Sequence, residues 1–156
     1  MKKSLQKTAK GDQQMEEVIN YLQIKNNYYE KFLTISTKFL EETNSDQWQN
    51  LNFFIENRER LLNIIRSLDQ KIARAFKESN ANEEEMNSYR EALKTLFDRK
   101  KNLGEKIIAV DLQLISKIDQ MKTETIKRLK SDLKTTHQIV SFERTSSNKR
   151  RRTKDA

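Results

Sequence analysis

Three residue types are scarce or missing in this chain of 156 residues, which has no cysteine, no proline and two glycines. Without cysteine there can be neither disulfides nor thiolate metal sites. Sheets and tight turns depend on glycine and proline, whereas helices avoid both, so the composition favours an all-α fold. The chain also has a single histidine and no Gly-rich phosphate loop. We therefore expect no catalytic residues, no cofactor and no metal site.

Apolar periodicity and turn residues predict three helices. The first begins near Asp12, a candidate N-cap, and the second begins at Trp48 after a turn at 43–46. A second cluster of turn and cap residues at 79–82 precedes the third helix. Turns of about four residues join neighbouring helices antiparallel. The predicted fold is therefore all-α, an antiparallel up-down-up three-helix bundle that is coiled-coil-like and has a long third helix.

The third helix is predicted to be the longest, because an apolar residue recurs every three or four positions from Met86 to Leu133. That stretch would span roughly 70 to 80 Å, against about 45 to 50 Å for each of the first two helices. Gly104 predicts a close helix approach or a soft point, and the Thr135-Thr136 step favours a break. The last third of the apolar stripe has no partner of matching length, and exposed apolar surface marks an interaction site. We predict partner binding through nine side chains: Leu114, Ile118, Met121, Ile126, Leu129, Leu133, Ile139, Val140 and Phe142.

The formal net charge of +8 is concentrated at the two ends of the chain. Residues 1–10 contain four lysines and no acid, residues 143–156 carry a net charge of +4, and residues 11–142 balance to zero. We therefore predict a helical bundle domain at 12–142, preceded by a disordered basic tail at 1–11 and followed by another at 143–156. Basic tails attach loosely, so nucleic acid is not the expected main partner. The N-terminal lysines precede no apolar run, so we expect no membrane insertion and a cytoplasmic location.

The second helix has a more specific pattern, W..L...I..RE.LL..I..LD, formed by Trp48, Leu51, Ile55, Arg58, Glu59, Leu61, Leu62, Ile65, Leu68 and Asp69. The third helix continues with Val110-Asp111-Leu112 and later with the run from His137 to Phe142. Over residues 15–142 the chain resembles bacterial flagellar type III export chaperones of the FlgN/FliT type. The basic C-terminal tail and the Phe142 ending depart from the usual pattern of that family.

The resemblance implies a cytoplasmic flagellar export chaperone that binds the C-terminal amphipathic segment of an axial protein, such as a hook-filament junction or cap subunit. Such a chaperone prevents premature assembly of its client and delivers it for type III secretion, with export-apparatus components as further partners. Two alternatives stay open from the residues themselves. One is a dimeric helical nucleic-acid-associated protein that uses its basic tails, and the other is a homo-oligomeric coiled-coil scaffold whose third helix pairs with itself. None of the three is an enzyme.

Overall fold

The computed structural model describes residues 2–44 and 48–154. Almost all of them belong to three α-helices, which are α1 Lys2–Glu42, α2 Trp48–Ser79 and α3 Glu83–Lys154. No strand occurs in the two described ranges, so the predicted all-α class with three helices is confirmed. The chain divides into two compact units. The first contains α1, α2 and the part of α3 up to Ile115, and the second contains Asn44 and α3 from Ser116 onward.

Within the first unit, α1 and α2 are joined by aromatic and ionic contacts. The rings of Phe39 and Phe54 stack with their centroids 4.1 Å apart and their planes inclined by 13°. About four turns earlier in α1, the Lys25 ammonium forms an ion pair with Asp69. Phe39 follows Lys25 in α1, whereas its partner Phe54 precedes Asp69 in α2. The two helices therefore run in opposite directions at these contacts.

The first part of α3 packs into the same core. Val18, Leu22, Ala75 and Leu96 form a cluster of buried side chains to which all three helices contribute. The buried Asn26 side chain donates a hydrogen bond from Nδ2 to the backbone oxygen of Leu96, at 3.1 Å. A buried amide without a partner is costly, so this bond favours one register of α1 against α3.

Arg58 of α2 connects the aromatic contacts to α3. Its Nη2 donates a hydrogen bond to Asp111 Oδ2 at 3.1 Å, and its Nη1 lies 3.0 Å from Asp111 Oδ1 as an ion pair. The guanidinium carbon also lies 4.3 Å from the ring centre of Phe32 and 5.3 Å from that of Phe54. The planar charged group therefore contacts two aromatic rings while it is paired with a carboxylate, an arrangement that suits arginine better than lysine.

Lys25 remains charged although it is only 5% exposed. Burial lowers its pKa, but the hydrogen bond to Asp69 and nearby negative charge outweigh that effect, so the pKa of Lys25 is raised. The neighbouring Lys100 has its pKa lowered, first by its own burial and then by the charge of Lys25. The raised pKa means that the Lys25 pair stabilises the fold at neutral pH. This contribution is lost only as the pH rises through the folded-state pKa of Lys25.

The turn between α2 and α3 lies at 80–82, within the predicted turn at 79–82. Asn80 adopts a φ of 45°, in the left-handed region that asparagine tolerates better than most residues. Asn82 caps α3, because its Oδ1 accepts a hydrogen bond from the Glu85 backbone N–H at 2.8 Å. Of the other predicted turn, at 43–46, only the first two positions lie within the described residues.

The outer ends of the helices differ from the predicted ones. α1 begins at Lys2, so Asp12 lies inside the helix and does not cap it. α3 continues to Lys154. Helix ends therefore do not fall at the predicted borders of the bundle domain, and the chain has no proline that would stop a helix there. The division into a domain and two tails, 1–11 and 143–156, stays a prediction.

In the interior of α3 the predicted break is wrong, and of the two alternatives predicted for Gly104 the close helix approach is contradicted. The helix does not break at Thr135 and Thr136, whose hydroxyls donate to carbonyl oxygens four residues earlier at 3.0 and 2.9 Å. These bonds satisfy both hydroxyls without leaving the helix. Gly104 is not a point of close helix approach, because a Cβ there would have no neighbouring atom within 4 Å. The close approach occurs at Gly11, where a Cβ would lie 3.2 Å from the carbonyl oxygen of Ser79.

Candidate protein-binding surface

Two of the nine predicted contact residues of α3 are buried within the fold. Leu114 in the first unit and Met121 in the second are each 2% exposed. Ile118 is half-buried. A partner cannot reach Leu114 or Met121 unless the chain first exposes them, which contradicts their assignment to a binding surface. The surface that a partner can reach on this part of α3 therefore begins after Met121.

Four other predicted contact residues form an exposed apolar row in the second unit. Ile126, Leu129, Leu133 and Val140 are 42, 57, 70 and 37% exposed, respectively. Their spacing of three, four and seven positions brings the side chains to one face of the helix, because seven residues make about two turns. Every residue from Ile126 to Arg150 is exposed. We name these four residues the α3 apolar row. The row is therefore accessible from one end to the other.

Ile139 and Phe142 are also exposed, at 54 and 75%, but they do not extend the α3 apolar row. A helix turns by about 100° per residue, so Phe142 lies about 160° around α3 from Ile126, nearly on the opposite side. Ile139 lies about 100° away from its neighbour Val140. Of the nine predicted contact residues, the structure therefore brings only the four of the row together on one exposed face, and their contact with a partner stays a prediction.

Three lysines flank the α3 apolar row on one side. Lys127, Lys130 and Lys134 are exposed, and their spacing of three and four positions places them on a shared strip of the helix beside Ile126 and Leu133. Among the described side chains, no carboxylate forms an ion pair with these three residues, named here the lysine row. A shallow depression continues along the same side, lined by Lys134, His137, Gln138 and Ser141. The accessible face thus combines apolar side chains with positive charge.

The lysine row was not predicted from the sequence. Averaged over residues 11–142 the net charge is zero, which hid the local excess. Between Lys122 and Phe142 there are five basic side chains and only two acidic ones. The signal was present in the sequence, but finding it requires knowing that this segment is exposed and counting its charge separately.

A second exposed apolar group, also missed as a surface, lies on α3 within the first unit. Ile108, Leu112 and Ile115 are 63, 65 and 66% exposed and are spaced four and three positions apart. The apolar stripe read from the sequence passes instead through their neighbours Ile107 and Leu114. Two apolar rows offset by one position thus run along this helix, and helical periodicity alone does not say which one faces the core.

A groove of about 790 Å³ lies between α1 and α2 in the first unit. Its lining includes the apolar side chains Ile35, Leu61 and Ile64, with Glu30 and Lys31 among the charged ones. Charges of both signs line this groove, so its electrostatics select no class of partner. The groove is therefore a weaker candidate for a specific binding surface than the exposed face of α3.

No arrangement for metal binding or membrane insertion is seen in the described ranges 2–44 and 48–154. Within them, no three His, Asp or Glu side chains are placed to hold a metal ion. None of the helices in this part of the chain combines the length and the apolar character needed to cross a membrane. Comparisons with protein-family models, with curated proteins and with solved structures found no match to the chain. The likeness to flagellar export chaperones therefore stays a prediction from the residues.

Proposed function

We propose that this chain is a cytoplasmic, non-enzymatic chaperone that binds an amphipathic helical segment of a flagellar axial protein before its type III export. The observation that carries the proposal is the exposed α3 apolar row. Apolar side chains repeated on one face of a helix form a surface that a second amphipathic helix can cover. The choice of a flagellar client is supported by the residue pattern from Trp48 to Asp69.

The size of the apolar contribution limits how such a client binds. Full burial of an Ile, Leu or Val side chain contributes about 1.5 to 3 kcal/mol. The four side chains of the α3 apolar row are 37 to 70% exposed, so covering them contributes on the order of 5 kcal/mol in total. Association itself costs about 4 to 15 kcal/mol. The row alone therefore does not account for micromolar binding, and the client must make further contacts as well.

Binding of axial-protein segments tests the proposal. Synthetic peptides covering the C-terminal helices of the hook-filament junction and cap proteins from the same genome are titrated into the full chain by calorimetry. We expect at least one peptide to bind. The Leu129→Asp variant should weaken that binding about tenfold or more, because it places a charge in the apolar contact.

Phe142→Asp is the matched control. It adds the same charge at an exposed apolar residue of the same helix, on nearly the opposite side from the α3 apolar row. We expect it to leave the affinity unchanged. Equal losses in the two variants, or full binding by Leu129→Asp, would show that the row is not the binding surface. A lack of binding by every axial-protein peptide would overturn the proposed client.

A further inference from the structure

The lysine row occupies positions that select partners in helix pairing. If Ile126 and Leu133 are given the a positions of a heptad and Leu129 the d position, Lys130 takes the e position directly beside the apolar seam. Lys127 and Lys134 take the next positions outward on the same side. Charges that flank a helix seam contribute mainly to the choice of partner, by attracting opposite charge and repelling like charge.

A second copy of this chain is a poor occupant for the same face. Two copies paired through their α3 apolar rows would bring together two segments that each contain eight basic and three acidic side chains between Lys122 and Arg150. Like charges beside a helix seam oppose association. The lysine row has no intrachain carboxylate partner that would screen this repulsion.

Nucleic acid and lipid fit less well than an acidic protein helix. Phosphates would pair with the lysines but would leave the α3 apolar row uncovered. An anionic membrane would cover both, yet helices that lie on membranes carry a wide apolar face. Here the apolar side chains form a narrow stripe of the coiled-coil kind, and the large Phe142 side chain lies nearly on the opposite side.

We infer that the partner covering this face is an acidic amphipathic helix of a different protein. This inference rests on the proposed function and specifies the chemistry of the client. The client helix presents aliphatic side chains to the α3 apolar row and aspartate or glutamate side chains to the lysine row. The apolar contact supplies an association that tolerates many sequences, and the ion pairs restrict it to acidic partners.

Three designed helical peptides with identical apolar seams test the inference. Their flanking positions are all glutamate, all glutamine or all lysine, and their affinities for the full chain are measured by fluorescence anisotropy at low and high salt. An exposed ion pair contributes about two- to fivefold in affinity, so we expect the glutamate peptide to bind about tenfold more tightly than the glutamine peptide. That advantage should shrink as salt rises, because salt screens exposed charges.

Charge reversal of the lysine row, with Lys127→Glu, Lys130→Glu and Lys134→Glu combined, should abolish the preference for the glutamate peptide. The control is the combined reversal of three exposed lysines in the first unit, at positions 94, 101 and 106. It changes the net charge by the same amount, and we expect it to leave the preference intact.

The outcomes separate this inference from the proposed function. Equal affinities of the three peptides would overturn the acidic partner and leave the function standing. If no designed peptide binds while the axial-protein segments do, the inference alone fails, and if neither kind binds, both fail. Tighter binding to phosphatidylglycerol vesicles or duplex DNA than to the glutamate peptide would overturn the inference. A dimer that Leu129→Asp dissociates would do so as well, because the face would then belong to a second copy.

Discussion

Leu114→Ala should destabilise the fold much more than Leu112→Ala, although the two leucines are two positions apart in α3. Leu114 is 2% exposed and Leu112 is 65% exposed. Both substitutions remove the same atoms and change helix propensity equally, so the difference between them measures burial alone. The pair therefore tests directly which side of α3 faces the core of the first unit.

The expected costs follow from the exposed fractions. Removing three buried carbons forfeits about 2.4 kcal/mol of transfer free energy, and the cavity left behind brings the cost of Leu114→Ala to about 2.5 to 5 kcal/mol. Leu112 keeps only about a third of its surface buried, so its substitution costs less than about 1 kcal/mol. We therefore expect a difference of about 2 to 4 kcal/mol in the free energy of unfolding.

Urea unfolding measures this difference. Trp48, the only tryptophan, reports on the first unit through its fluorescence, and far-ultraviolet circular dichroism reports on helix content. Free energies are extrapolated to zero urea with a common slope for the unmodified chain and its variants. Leu114→Met serves as a control, because a swap that nearly conserves volume should cost less than about 1.5 kcal/mol.

Equal costs for the two alanine variants, or a larger cost for Leu112→Ala, would refute the assignment of the buried face. In that case the predicted stripe and the exposed group at Ile108, Leu112 and Ile115 would exchange roles.

Three further predictions concern the first unit. Arg58→Met and Asp111→Asn should each lower the free energy of unfolding by about 1 to 2 kcal/mol. The double variant should cost less than the sum of the two, because both substitutions remove the same charged contact. Additive costs in urea unfolding would contradict this. Gly104→Ala should raise the melting temperature, with a gain of about 0.5 to 1 kcal/mol, because the position is helical and has open space around it; a loss of stability would show a hidden contact. As the pH rises, Lys100 should lose its proton before Lys25, and Lys25→Met should raise the pKa of Lys100 by removing the adjacent charge. NMR titration of the lysine side chains measures this order. The reverse order would contradict the ion pair of Lys25 with Asp69.

The helices and the second turn were predictable because they depend on local interactions. The start of α2 at Trp48 and the turn at 80–82 follow from turn residues, capping residues and apolar spacing, each of which acts over a few positions. The start of α1 and the end of α3 were predicted less well. Lysine- and arginine-rich stretches favour helix by intrinsic propensity but have no apolar period, so the pattern ends before the helix does.

The candidate surface was predictable only in part. Ile126, Leu129 and Leu133 were expected to be accessible, and the structure exposes all three. Phe97 belongs to the apolar periodicity that runs from Met86 to Leu133, yet it is 51% exposed. Burial depends on which other helices cover a given side, and that information is not contained in the local pattern.

The sequence by itself determined that this chain is helical and which residues of α3 are apolar, because periodicity and propensity act within a single helix. Only the tertiary structure decided which of those apolar residues are inside. Ile107 and Ile108 are adjacent and equally apolar, yet the first is half-buried and the second is 63% exposed. Both residues fit the helical period of the apolar pattern. Contacts between residues that are distant in sequence therefore decide which of the two is buried. One of these is the hydrogen bond from Asn26 to Leu96, which joins residues 70 positions apart.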